Sequence, residues 1–396
     1  MTISLIANLG VLGFFKYYNF FIENINLLFT SLGIEIQSLP YLGIILPIGL
    51  SFHTFQAMSY TIEVYKGNQK AESHFGIYSL YVMFYPQLVA GPIERPQNII
   101  PQFREKKKFS FPEFISGLQQ MAWGLFKKVV VADQLSIYVN SIYNNWEVNS
   151  GLTLIVATYA FAFQIYCDFS GYSDIAQGAA RTMGFKLMDN FNLPYFSKSI
   201  SEFWRRWHIS LSSWLKDYLY ISLGGNRISN SRTYTNLFIT MLLGGLWHGA
   251  SWNFIIWGFL NGLYLSIEKY FQTLKLKISF PGNRFLKMFI TFNLISFTWI
   301  FFRAESFRQA IEIICNIISP TSFWNLRIQD TGIFAGMTLS LLILLLIELF
   351  FFRGKKTVEI YKMRSLLSAV LYFSLIFLLI ILFGVAEGDQ FIYFQF

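Results

Sequence analysis

Leu152-Thr153-Leu154-Ile155-Val156-Ala157-Thr158-Tyr159-Ala160-Phe161-Ala162-Phe163-Gln164-Ile165-Tyr166-Cys167-Asp168-Phe169-Ser170-Gly171-Tyr172 is the stretch whose reading decides the fold class. A span needs about 20 mostly apolar residues to cross the ~30 Å of hydrocarbon in a bilayer. This run has that length, and Asp168 is its only formal charge. Comparable runs recur at about Tyr41 to Tyr60, Ile77 to Ala90, Phe114 to Ala132, Leu237 to Ile267, Phe285 to Phe302, Gly332 to Phe352 and Leu366 to Val385. A shorter one, Ile3 to Phe15, is interrupted by Lys16. The recurrence predicts an all-α multi-pass membrane protein.

Composition points the same way. The 396 residues are 54% hydrophobic and 13% charged, about half the charge of a typical soluble domain. No composition shift divides the chain, so residues 1–396 read as one helical unit. The net charge of +9 does not imply nucleic acid as a partner. Its Lys and Arg sit in short runs between apolar segments (Arg104 to Lys108, Lys127-Lys128, Arg205-Arg206, Arg353 to Lys356), which is what positive-inside topology produces and what lets such loops touch anionic membrane lipids. Two cysteines, Cys167 and Cys315, imply neither a disulfide framework nor a Cys-based zinc site. No small-residue cleavage site follows the first apolar run, so no cleavable signal peptide is expected.

Two segments break the helical pattern. Pro86-Gln87-Leu88-Val89-Ala90-Gly91-Pro92-Ile93-Glu94-Arg95-Pro96 has too many prolines to continue a helix. It is expected to be a cavity wall, or else an ordinary connecting loop. Asn190 to Asn236 is mixed in polarity and reads as short amphipathic helices at the interface or dipping inward. There is no internal repeat of the kind that marks inverted-repeat transporters.

Polar residues inside spans are costly and mark candidate sites. In the first cluster Gln164, Asp168, Gly171 and Tyr172 share a helix face, whereas Asp168 and Asp174 do not. The two carboxylates are therefore expected to brace the bundle through basic partners rather than act as an acid/base pair. The second cluster is Phe203-Trp204-Arg205-Arg206-Trp207-His208-Ile209-Ser210-Leu211-Ser212-Ser213-Trp214-Leu215-Lys216-Asp217-Tyr218. As one helix it puts Trp207, Leu211, Trp214 and Tyr218 on a stripe and leaves His208 beside it with Ser212 and Leu215. His208 reads equally as a structural histidine and as a functional one.

The third cluster is Gly244-Gly245-Leu246-Trp247-His248-Gly249-Ala250-Ser251-Trp252-Asn253. His248 has no other ionisable residue near it in the chain, and three glycines remove bulk around it, so backbone or substrate can approach closely. Neutral imidazole is the cheapest general base to keep in a low-dielectric site. A hydroxyl attacking a thioester needs a base within hydrogen-bond reach. The plainer alternative is a histidine bonded across helices. No Gly-x-Ser-x-Gly elbow and no phosphate-binding glycine loop occur. His53, His74, His208 and His248 offer no helical metal-ligand spacing, so neither a metal nor a cofactor is expected, and the alternative is a metal or haem held where His208 and His248 converge in space.

At these clusters the chain closely resembles the membrane-bound O-acyltransferase family, in particular its bacterial branch of alginate and peptidoglycan O-acetyltransferases. The resemblance rests on Leu46-Pro47-Ile48-Gly49-Leu50-Ser51-Phe52, Pro86 to Pro96, Asp168-Phe169-Ser170-Gly171-Tyr172-Ser173-Asp174 and Phe203 to Tyr220 with Gly224-Gly225-Asn226-Arg227. It continues through Leu246-Trp247-His248-Gly249-Ala250-Ser251-Trp252-Asn253, Phe301-Phe302-Arg303-Ala304 and Phe391-Ile392-Tyr393-Phe394-Gln395-Phe396. It implies a helical bundle with a central tunnel and short interfacial or re-entrant helices, in the bacterial inner membrane. It further implies His248 as general base and His208 on the cytoplasmic approach, contacting the donor. Trp247 and Asn253 beside the first, and Trp204 and Ser212 near the second, are the matching substrate-binding candidates. The donor substrate would be acetyl-CoA. A periplasmic acetyltransferase or an acceptor polysaccharide would be the partner, and a cell-envelope polysaccharide the product. D-alanyl transfer to teichoic acid, a membrane transporter of an activated group and a scaffold for polysaccharide export are the alternatives. Family members usually have about two more spans before the segment beginning near Ile6, so this chain is expected to start late.

Overall fold

The computed structural model describes residues 1–34, 38–43, 47, 49–274, 284–319, 330–354, 366–385, 388 and 390–392. Leu46, Ile48, Lys355, Lys356 and Tyr393 to Phe396, all named above, lie outside them. The described regular structure is helical throughout, and four of its helices are long and apolar enough to cross a membrane: Thr2–Ser31, Gly151–Thr182, Arg284–Arg303 and Thr331–Phe350.

In chain order, α1 (Thr2–Ser31) runs through Lys16 on a π-helical turn, Gly13–Tyr17, instead of ending there. Helices α2 (Leu50–Tyr65) and α3 (Phe75–Met83) lead into the proline-rich segment and α4 (Pro96–Arg104). The proline-rich segment is a buried connection: Tyr81 Oη donates to Gln56 O and Glu94 O at 3.1 Å, and His53 Nε2 lies 2.9 Å from Leu88 O. Non-helical backbone survives at that depth because protein groups satisfy it.

Helix α5 (Phe111–Leu125) passes through a π-helical stretch, Phe126–Ala132, into α6 (Asp133–Tyr143). It packs antiparallel on α7 (Gly151–Thr182), where glycine meets glycine. A Cβ on Gly117 would lie 2.7 Å from Gly178 O, and one on Gly171 would lie 2.7 Å from Gly124 O. Such contacts let backbones approach closely where lipid gives no hydrophobic incentive to associate. Lys127 and Lys128 sit inside this pair, not in a loop as their charge run suggested. Lys127 Nζ is 2.5 Å from Asp174 Oδ2, and Lys128 Nζ is 3.0 Å from Asp168 Oδ1 and 2.8 Å from Asp133 Oδ1. Asp168 and Asp174 therefore brace the bundle, as their spacing implied. The face shared by Gln164, Asp168, Gly171 and Tyr172 also receives the end of the chain. Asp168 Oδ2 accepts from Ile392 N at 2.7 Å, and Tyr172 stacks on Phe391.

The segment Phe203 to Tyr218 is not one helix. Helices α8 (Ile200–Arg206) and α9 (Ile209–Trp214) break at His208, which holds φ 43° and ψ 54°. That left-handed backbone is unfavourable for a residue with a Cβ and persists only where its surroundings hold it. Here Asn190 does so: its Oδ1 accepts from Ser210 N and Oγ, and its main-chain oxygen accepts from Ile209 N at 2.9 Å.

Leu237 to Ile267, read as a single span, is instead a hairpin of α10 (Asn230–His248) and α11 (Trp252–Thr273). The chain turns in extended conformation at Gly249, φ −167° and ψ 156°. The two helices close on Gly258, whose added Cβ would lie 2.6 Å from Met241 O and 3.2 Å from Gly245 Cα. Helices α12 (Arg284–Arg303), α13 (Phe307–Ile318), α14 (Thr331–Gly354) and α15 (Leu366–Phe383) complete the described chain.

Candidate active site

His248 is the last residue of α10, at the corner of the hairpin. Its imidazole packs among Trp257 (centroids 5.0 Å apart), Phe302 (5.3 Å) and Phe254 (6.5 Å). The glycines divide their labour. Gly245 faces Gly258 and serves packing, Gly249 faces the Phe254 ring and also lines the larger of two cavities, and Gly244 lies on the wall of the smaller one with His248.

Among the described residues, two cavities approach this corner. One, of about 510 Å³, runs along α10 and α11 from Asn226 and Gln272 to His248, with Trp204, Ser212, Gly244 and Trp257 on its walls. Arg205, Lys216 and Lys269 give its mouth a positive balance against Glu268. The other, of about 720 Å³, lies at the opposite end of the hairpin, where Gly249, Ala250 and Ser251 form part of its wall. Lys16, Asn140, Asn144, Gln164, Arg303 and Glu305 supply polar groups there, and the Phe254 and Phe302 rings that pack on the His248 imidazole also lie on its wall. The imidazole thus touches one cavity directly and meets the other across two phenyl rings.

The six candidate residues separate on this geometry. His248, Trp204 and Ser212 line the smaller cavity. His208, Trp247 and Asn253 line neither and are packed behind it. His208 Nδ1 lies 3.1 Å from Asn190 Oδ1, and its ring sits 6.2 Å from that of Trp247, which in turn stacks on Phe55 at 5.3 Å. Asn253 Nδ2 donates to Ala304 O at 2.6 Å, tying the start of α11 to the end of α12. Among the described residues no three His, Cys, Asp or Glu gather into a group able to hold a metal ion.

Residues 72–307, more than half of the chain and including both walls of the hairpin, match the family model for membrane-bound O-acyltransferases. The chain belongs to that family. Among O-acyltransferase relatives, the chain is 41% identical over 352 residues to the probable alginate O-acetylase of Pseudomonas aeruginosa, covering 89% of this chain and 66% of that protein. It is 35% identical to the peptidoglycan O-acetyltransferase of Helicobacter pylori, covering all of this chain and 82% of the relative. The teichoic acid D-alanyltransferase of Bacillus subtilis is 27% identical over 66% of this chain and 70% of its own length. The chain thus spans about two thirds of the length of the alginate relatives it matches.

Several cavity residues carried no signal by motif. Trp257 follows His248 in the next helix, and only the fold-back of the hairpin sets their rings together. Lys16 did carry one: a charge inside an apolar run marks a functional position by default. Its ammonium reaches the main-chain oxygens of Trp247 at 2.7 Å and His248 at 2.9 Å.

Proposed function

We propose that this protein is an O-acyltransferase of the bacterial inner membrane that moves an acetyl group from cytoplasmic acetyl-CoA towards a cell-envelope polysaccharide, with His248 as general base. The observation that carries the reading is the position of His248 at a corner approached by cavities from opposite ends of one helical hairpin. The smaller cavity opens where Arg205, Lys216 and Lys269 gather, and basic ends face the cytoplasm under the positive-inside rule. Those cations suit the phosphates of a coenzyme A donor. The larger cavity, lined by amides, two cations and Glu305, suits a hydroxyl-bearing acceptor, whether a sugar or a partner protein that passes the group on, and the Phe254 and Phe302 rings must swing aside for its hydroxyl to come within hydrogen-bond reach of the imidazole.

In this mechanism the acceptor hydroxyl oxygen attacks the thioester carbonyl while the imidazole takes its proton. The tetrahedral adduct then collapses, the carbon–sulfur bond breaks, and the departing thiolate takes the proton back. General-base help of this kind contributes about 10²–10⁴-fold. Acetyl transfer is favoured over D-alanyl transfer because relatives named for the former share 35% and 41% identity with the chain, against 27% for the latter. Purified protein given labelled acetyl-CoA and an acceptor glycan is expected to transfer label, and His248→Ala to slow it about 10²–10⁴-fold. Transfer by His248→Ala at close to the wild-type rate rules out the histidine as base.

A further inference from the structure

The first helix holds the corner that carries His248 at several points. Tyr17 Oη donates to Leu246 O, and Lys16 Nζ donates to Trp247 O at 2.7 Å and His248 O at 2.9 Å. These are three consecutive carbonyls of the last turn of α10, groups that a helix end leaves without intrahelical partners. One turn on, Phe20 packs on Trp252 with centroids 5.9 Å apart, and a further turn on, Asn24 Oδ1 accepts from Trp252 Nε1 at 2.9 Å. Lys16, Phe20 and Asn24 repeat every four residues, so one stripe of α1 spans the corner from the end of α10 to the start of α11. The π-helical turn at Gly13–Tyr17 lies where the stripe begins, and such local widenings concentrate at functional sites.

Elsewhere α1 packs on α2, where Ser4 Oγ lies 3.2 Å from Thr61 Oγ1, and its Asn19 and Asn26 side chains bond to the main chain of Leu42 and Leu39. Only 6% of its most apolar window is buried, so the stripe is its main attachment on the hairpin side. Lys16 is also a wall of the larger cavity beside Gly249, Ala250 and Ser251.

We infer that Lys16, supported by Tyr17, is a positioning residue for acyl transfer: it fixes the end of α10 so that the imidazole of His248 keeps its place between the two cavities. The inference rests on the reading of His248 as base. A cation at a helix C-terminus is electrostatically favoured, and an ammonium bonded to two carbonyls at once restrains both. A displacement of about 1 Å at a reacting group lowers a rate about 100-fold.

The test uses the full chain with labelled acetyl-CoA, comparing wild type, His248→Ala, Lys16→Met, Lys16→Arg and Tyr17→Phe, with folded yield and thermal stability measured for each. Lys16→Met is expected to lower kcat about 100-fold with the KM for acetyl-CoA unchanged. Lys16→Arg is expected to restore most of the rate, because it keeps the charge and the donors, and Tyr17→Phe to give a smaller loss in kcat. The inference is overturned if folded Lys16→Met keeps its kcat, if its loss lies in KM, or if Lys16→Arg is folded and as slow as Lys16→Met. If His248→Ala keeps its activity, the base assignment itself fails. If His248→Ala is inactive while Lys16→Met is not, only the positioning role fails.

Discussion

Two glycine-packed helix pairs organise this protein, and they are built to opposite ends. In the α5–α7 pair, backbones close at Gly117, Gly124, Gly171 and Gly178, and the polar groups trapped at this seam pair with one another: Gln120 with Gln177, Lys127 with Asp174, and Lys128 with Asp168 and Asp133. In the α10–α11 hairpin, backbones close at Gly245 and Gly258, and the polar group at the end of the seam is a single imidazole among aromatic rings with a cavity against it. The first pair spends its polar residues on one another. The second sets its polar residue among aromatic rings on a cavity wall. Close packing by small residues is thus common to brace and site alike, and the partners of the buried polar groups tell them apart.

The contrast predicts that the two pairs fail differently when broken. The largest effect belongs to the hairpin: His248→Ala is expected to lower acetyl transfer about 10²–10⁴-fold while the folded yield stays near that of wild type. Lys127→Met comes next and should act through folding. Removing one partner of a buried ion pair costs about 3–5 kcal/mol. The variant should therefore be recovered at low yield with a lowered Tm, and Lys127→Met combined with Asp174→Asn should regain part of the loss. If Lys127→Met instead folds normally and loses only rate, the brace belongs to the site and the contrast collapses.

A smaller effect is expected at the seam itself. Gly258→Ala forces a methyl group against Met241 O, and overpacking of this kind costs about 1–3 kcal/mol. Because the seam ends at His248, rate and Tm should fall together, which neither of the preceding variants should show. The smallest is at the mouth of the 510 Å³ cavity, where Lys269→Ala should raise the KM for acetyl-CoA a few-fold, in line with the roughly 1 kcal/mol or less of a solvent-exposed charge pair. That shift should shrink at high salt because exposed charges are screened. A KM indifferent to salt would place the donor elsewhere.

Each misreading of the sequence has a physical source. Hydropathy scores charge without its partners, so Lys16 reads as an interruption and Lys127-Lys128 as a charge run between apolar segments. In the fold, Lys16 meets the carbonyls of α10, and Lys127 and Lys128 meet carboxylates on neighbouring elements. Asp168 and Asp174 were legible as braces because six residues separate them, and no helix puts residues so spaced side by side. The break at His208 was not legible, since its left-handed backbone is imposed by Asn190, eighteen residues earlier in the chain.

By itself, the sequence determined that the chain is a membrane-embedded helical bundle and that His248 is the group to question. Apolar length and the expense of a polar residue in hydrocarbon are local properties, readable one segment at a time. Only the tertiary structure decided that Leu237 to Ile267 folds back on itself, that Trp257 comes to lie against His248 while Trp247 and Asn253 are packed away from both cavities, and that Lys16 holds the corner from more than two hundred residues away. Those facts depend on which backbones can touch and which carbonyls remain to be satisfied at a helix end, and both are settled only when the helices meet.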